Sequence, residues 1–308
     1  MLCAVPLKPL PTKRSTVFDD ATSPPIERDA VEAYRRDGYY IRRGLFDTSA
    51  AQEAAAWLKT QDHAALAKSW TEQEPGVALA VLPGVHTGDH PVALLARHPS
   101  MLAIAGALMD TPVYIWASKV NVKAAWCGTA EYYHQDLVYW KDRGYPRNDM
   151  LTAMIFLEPH TLRNAGLQVV PGTHRAGLME HQPFININGL TKYMVPPETL
   201  DRLSREHGVV TVEGEPGDVI FFHAALVHGS SHNISPHSRM TILSQLNSVG
   251  NEPIDVDSHA REFNLRRAEF ELREAERRYQ WFKRKFDEQT ASDEVTFGAP
   301  IPDRERQA

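Results

Sequence analysis

The chain has 308 residues, 43% of them hydrophobic and 23% charged, with a formal charge of −6. That is the balance of a folded chain able to bury a large core, and the acidic excess argues against a nucleic-acid binder. Two cysteines, Cys3 and Cys127, make no disulfide framework. They suit a reducing, cytoplasmic home. No apolar run approaches the roughly twenty residues that span a bilayer, and Met1 to Pro6 lacks the apolar core of a signal peptide, so no membrane partner is expected.

Residues 1–25 hold Pro6, Pro9, Pro11, Pro24 and Pro25 and read as a flexible arm. A helix is predicted from Arg28 to Asp37, stopped by Gly38, with a strand at Tyr39-Tyr40-Ile41. Ser49-x-x-Gln52 has the form of a capping box opening an alanine-rich helix to about Gln61. Val92 to Met109 is helical in pattern, with a restart at Pro99-Ser100.

After Thr111-Pro112 the pattern changes to β. Val113 to Trp116 and Val120 to Val122 are strand-like, and further strands are expected at 131–138, 151–158, 166–170, 208–213, 218–223 and 238–247. Turn formers separate them, which favours a sandwich or barrel. The stretch 175–207 is long for a strand connection and is a candidate lid. From Asp257 to about Gln289 the chain is highly charged. Leu265, Ala268, Leu272, Ala275, Tyr279, Phe282 and Phe286 form a heptad-like stripe there. Phe263, Phe270 and Trp281 widen that face, so a helix packed on its own domain is preferred to a coiled-coil homodimer.

Two stretches carry chemistry: Glu131 to Leu137, and Phe221 to Ser230. Side chains alternate along a strand, so His134 and Asp136 are expected on one face. With His228 as candidate third ligand, they would make the two-histidine, one-carboxylate face of non-haem Fe(II) oxygenases. His223, His232 and His237 compete for that place. His223 precedes His228 by an odd number, and the other two fall near turn signals. Arg239, eleven residues after His228, suits a carboxylate gripped by two parallel hydrogen bonds, and Thr241 shares its strand face.

The ordered set His134-Gln135-Asp136, Gly166 to His174, Gly217 to His223, His228-Gly229-Ser230, Asn233 and Arg239 resembles the phytanoyl-CoA dioxygenase family of Fe(II)/2-oxoglutarate oxygenases. The resemblance covers roughly residues 28–250, and is nearest to the ectoine hydroxylase-like members. It implies a mainly β fold with flanking helices around a double-stranded β-helix (jelly-roll, cupin-like) core, to which the heptad-like stretch adds a long C-terminal helix. The expected divisions are an arm at 1–25, an oxygenase domain at 26–256, a helix at 257–290 and a flexible tail at 291–308.

The same resemblance implies Fe(II) on His134, Asp136 and His228, with 2-oxoglutarate and O2 as cosubstrates. Arg239, Thr241 and Asn121 would bind the 2-oxoglutarate. Tyr132, Leu137, Trp140 and Lys119 are candidate substrate residues, and Gly166 to His174 is read as a structural turn. Trp140 and Pro146-Arg147 match the ectoine hydroxylase pattern. Ala117 and Glu131 depart from it, which puts ectoine in doubt as substrate. The implied activity is hydroxylation of an unactivated C–H bond of a small amino-acid-like metabolite or natural-product intermediate, releasing succinate and CO2. Desaturation, cyclisation or epimerisation by the same iron chemistry is the enzymatic alternative. A non-catalytic metal- or ligand-binding jelly roll is the rival from another class. A zinc hydrolase is disfavoured, since its histidines usually come at i, i+4 on a helix.

Overall fold

Residues that alternate along the central strands are apolar on both faces, and the fold uses both. The structure is a computed structural model that describes residues 26–61, 81–140, 148–186 and 191–251. The expected arm, C-terminal helix and tail, together with Pro146-Arg147, lie outside the described residues.

A six-stranded antiparallel sheet runs β1 (Tyr39–Arg42), β10 (Val219–His223), β5 (Met150–Phe156), β12 (Arg239–Ser248), β3 (Val113–Lys123) and β2 (Val81–Pro83). A second sheet runs β4 (Glu131–His134), β11 (His228–Ser230), β6 (Gln168–Val169) and β9 (Val210–Thr211). Strands β7 (Gln182–Ile185) and β8 (Thr191–Met194) pair as a separate hairpin. The inner faces of the two sheets share one core of Met154, Phe156, Val169, Ile220, Phe222 and Leu243. The outer face of the large sheet, with Leu151, Ala153, Ile155, Phe221, Met240 and Ile242, packs against the helices. A sheet covered on both sides buries its central strands along their whole length, and every residue of β5 and β12 is buried, the polar residues of β12 included.

The helices on that outer face are α1 (Arg28–Asp37), α2 (Thr48–Lys59), α3 (Pro91–Ala96) and α4 (Pro99–Met109). Gly38 stops α1 at φ 82°, and an added Cβ there would meet the His174 ring. The capping box at Ser49 does not form: α2 starts after Asp47, Ser49 lies inside its first turn, and no side chain caps it. Thr48 instead donates to the Pro216 carbonyl, tying α2 to the turn before β10. The stretch Pro91–Met109 is, by length and composition, apolar enough to cross a membrane, contrary to the expectation that no run comes near that length. Arg97 and His98 interrupt it, and its two halves lie largely buried against the sheet.

The 175–207 stretch is not a bare connection. It holds the β7–β8 hairpin and α6 (Pro197–His207). Between β4 and β5 lies the short helix α5 (Leu137–Trp140).

Candidate metal and cosubstrate site

The second sheet brings His134 and His228 together directly. They are paired residues on β4 and β11, and paired residues project to the same face. Asp136 reaches the same point by another route than strand alternation. The expected strand 131–138 ends at His134, where the chain turns. Leu137 donates to the Ala224 carbonyl at 3.0 Å, and Tyr139 donates to the Asp136 carbonyl at 3.0 Å as α5 begins. Asp136 Oδ1 then lies 3.7 Å from His134 Nε2 and 3.8 Å from His228 Nε2. The three ligand atoms lie within 4.8 Å of one another.

Each imidazole is oriented from behind. His134 Nδ1 is 2.7 Å from the Tyr132 carbonyl and His228 Nδ1 is 2.9 Å from the Leu226 carbonyl. Nδ1 therefore carries a proton and donates, and Nε2 is the nitrogen turned toward Asp136. Thr152, on the inner face of β5, donates to Asp136 Oδ2 at 2.9 Å and leaves Oδ1 for the shared point. Burial disfavours the charged Asp136, but His134, His228 and Lys119 reverse this and hold it well below the usual carboxylate range. Burial, aided by His134, pulls His228 down to about 4. Burial works against a charged His134, but Asp136 and Glu131 outweigh it and raise His134 above the ordinary histidine value. A divalent metal with oxygen- and nitrogen-ligand preference would take the place of that proton, held by the two imidazoles and the carboxylate.

Behind the triad, the inner face of the large sheet carries a polar row. Register places Arg239 opposite Lys123, Thr241 opposite Asn121, Leu243 opposite Lys119 and Gln245 opposite Ala117. Thr152 pairs with Gln245, and Met154 with Leu243, on the same face. Arg239 is buried; its Nη1 donates to the Ala165 carbonyl at 2.5 Å and lies 3.4 Å from His160 Nε2. Its buried Nε has no partner among the described residues. Burial lowers the guanidinium to about 10, so it is charged at neutral pH. An orphaned donor on a buried cation fits the far carboxylate of 2-oxoglutarate. Thr241 is fully buried, its hydroxyl 3.4 Å from the Asn121 carbonyl.

The candidate substrate residues scatter. Lys119 and Asn121 lie on the inner face of the large sheet, paired with Leu243 and Thr241. Leu137 and Trp140 are buried in a side cluster with Tyr114, Trp116 and Met150. Tyr132 is half exposed, its ring edge-on to Phe184 at 5.1 Å. Of the rival histidines, His232 and His237 are exposed. His223 ends β10 on the other sheet, 5.4 Å from His174.

Several residues escape a sequence reading because their partners are far away in the chain. Gln135 is fully buried and donates to the Gly177 and Ala225 carbonyls at 2.8 and 2.6 Å, while its Oε1 accepts from Met179. His181 gains a partner there, accepting from the Gln135 amide. His160 stacks on Phe156 at 4.0 Å, and burial beside Arg239 holds it neutral. Gly166 to His174 holds β6 and then bends at Pro171-Gly172, and Thr173 gives the bend a use. Its hydroxyl donates to Val170 and accepts from the amide of Val227, next to His228.

A jelly roll with this donor set between its sheets defines a non-haem Fe(II), 2-oxoglutarate-dependent dioxygenase. Residues 34–241 match the phytanoyl-CoA dioxygenase (PhyH) family, and the chain belongs to that family. It is 31% identical to ectoine dioxygenase of Sphingopyxis alaskensis, over 80% of this chain and 84% of that one. It is 33% identical to L-proline trans-4-hydroxylase of Streptomyces griseoviridis, over 59% of this chain and 72% of that enzyme. A crystal structure of EctD from S. alaskensis with 2-oxoglutarate and 5-hydroxyectoine superposes with a TM-score of 0.64 at 29% identity, covering 79% of this chain and 84% of that one. The enzyme uses Fe(II), 2-oxoglutarate and O2 on a small-molecule substrate.

Proposed function

We propose that this enzyme hydroxylates an unactivated C–H bond of a small amino-acid-like metabolite or natural-product intermediate, within a domain spanning residues 26–256. His134, Asp136 and His228 hold the iron, and Arg239 grips the far carboxylate of 2-oxoglutarate, with Thr241 and Asn121 beside it. The observation that carries this reading is the convergence of three oriented ligand atoms in front of a buried arginine with an unsatisfied donor. Bound Fe(II) and 2-oxoglutarate supply the oxidative chemistry, in which O2 is consumed and succinate and CO2 are released.

The chain's own residues position and shelter. The Tyr132 and Leu226 carbonyls fix the imidazoles, Thr152 fixes Asp136, and the His160 ring places Arg239. Tyr139 packs edge-on to His134 at 5.7 Å, and Tyr193 of the hairpin packs on Tyr139 at 5.5 Å, which keeps water from one side of the site.

The test is Fe(II)-dependent formation of succinate from 2-oxoglutarate, screened for stimulation by metabolites, with product masses read in parallel. A gain of one oxygen is expected. His134→Ala, Asp136→Ala and His228→Ala should each abolish turnover and weaken Fe(II) binding while the far-ultraviolet spectrum is kept. Full activity in any of the three removes that residue from the site.

A further inference from the structure

Glu131 is a second inward-facing carboxylate near the triad, and neither iron nor 2-oxoglutarate has a use for it. Its place follows from a β-bulge. His134 pairs with His228 and Glu131 with Ser230, so three steps on β4 match two on β11. Paired residues share a face, and Glu131, Ser230, His228 and His134 therefore all project inward. Gly229 permits the bulge: a Cβ there would lie 2.9 Å from the Glu131 carbonyl.

Among the described residues, no hydrogen bond or ion pair reaches the Glu131 carboxylate, although it is only partly exposed. Cations surround it at longer range: Lys192 from the hairpin, Lys119 and Lys123 from the facing sheet, and Arg239. Burial works against its charge, but Lys192, His134, Lys119 and Lys123 outweigh burial and keep it ionised. Lys123 is already engaged by the Thr129 and Ser231 carbonyls. Lys119 lies on the inner face, paired with Leu243, with its ammonium in no hydrogen bond among the described residues, and its charge acts on both Asp136 and Glu131. A confined carboxylate with no direct partner is costly unless a ligand completes it. That ligand is not 2-oxoglutarate, both of whose carboxylates Glu131 would repel.

We propose that Glu131 and Lys119 select a zwitterionic amino acid as substrate, Glu131 accepting from its cationic nitrogen and Lys119 donating to its carboxylate. This rests on the oxygenase reading and narrows its substrate class.

The test is calorimetric binding without oxygen, on enzyme loaded with Fe(II) and 2-oxoglutarate. The probes are the proteinogenic amino acids and L-pipecolate, each beside its N-acetyl form, with cyclopentanecarboxylate as the nitrogen-free match to L-proline. At least one free amino acid should bind about tenfold or more tightly than its uncharged-nitrogen counterpart, as the loss of a charged hydrogen bond implies. Glu131→Gln should erase that preference, and Lys119→Met should weaken both members of the pair. The proposal is overturned if no free amino acid binds, if the counterparts bind equally well, or if Glu131→Gln keeps the full preference. Should Glu131→Gln not fold, the comparison on the unmutated enzyme decides alone. Substrate-free, Fe(II)-dependent succinate formation by the unmutated enzyme is measured alongside. Its absence brings down the oxygenase reading and the proposal with it, whereas its presence without a nitrogen preference brings down the proposal alone.

Discussion

Thr152 decides which oxygen of Asp136 is turned toward the two imidazoles. Its hydroxyl holds Oδ2 at 2.9 Å, and Oδ1 is left between the two imidazoles. Thr152→Val keeps the shape and removes the donor. It is expected to weaken Fe(II) binding about 10- to 100-fold, the usual cost of losing a partner that orients a metal ligand. Unchanged affinity in a metal titration would show that α5 alone orients the carboxylate. At Arg239, substitution by lysine leaves a charge but cannot reproduce two parallel hydrogen bonds. The KM for 2-oxoglutarate should rise about tenfold or more, while iron affinity holds. An unchanged KM would hand the distal carboxylate to Lys119 or Lys123. Of this site, His134, Asp136, His228 and Arg239 were legible in the sequence because their order and spacing are distinctive. Thr152 and His160 were not, since each acts on a residue brought near only by folding: Thr152 on Asp136, His160 on Arg239, which is 79 positions away.

At the level of elements, β4, α5 and the hairpin act as one assembly around the iron site. Leu137-Val138-Tyr139-Trp140 has strand-like content, yet it forms a helical turn, because the Ala224 carbonyl captures the Leu137 amide. Tertiary pinning overrode local propensity there. The expected same-face placement of His134 and Asp136 came true through that turn rather than through strand alternation. The 175–207 stretch offered little periodicity to read, and its two short strands pair only with each other. Its position is set by contacts from elsewhere: Val195 donates to the Tyr133 carbonyl at 2.7 Å, and the Tyr193 amide donates to Tyr139 Oη at 3.2 Å. These few links place the hairpin beside the site, and a thin set of links marks a low-stability element. Its amides at Gln182–Ile185 and Thr191–Met194 should exchange faster than those of β5, and slow when substrate binds to the loaded enzyme. Equal protection with and without substrate would show that the hairpin is a fixed wall.

Across the whole molecule, burying both faces of the large sheet leaves several histidines uncharged inside. His90 caps α3, accepting from the Ala93 amide at 3.1 Å, and stacks on Trp57 at 4.3 Å. His223 lies at the far end of β10, between Tyr34 and His174. Burial lowers each of them to about 4, with Arg97 assisting at His90 and His174 at His223. The unfolded chain binds these protons at about pH 6.5, so protons favour unfolding between there and about 4. Their stabilising effect is complete above about 6.5 and is lost as the pH falls. Each contributes a slope of about 1.4 kcal/mol per pH unit, or about 2.7 for the two together. Because they sit in different layers of one packed unit, the loss should appear as a single cooperative transition in urea titrations run at successive pH values. His90→Asn keeps an acceptor at the helix start and removes the titration. It should flatten the slope by about 1.4 kcal/mol per pH unit without changing the transition's cooperativity. A slope as steep as that of the unmutated protein would mean that His90 is already protonated in the folded state, which its stacked, buried ring does not favour.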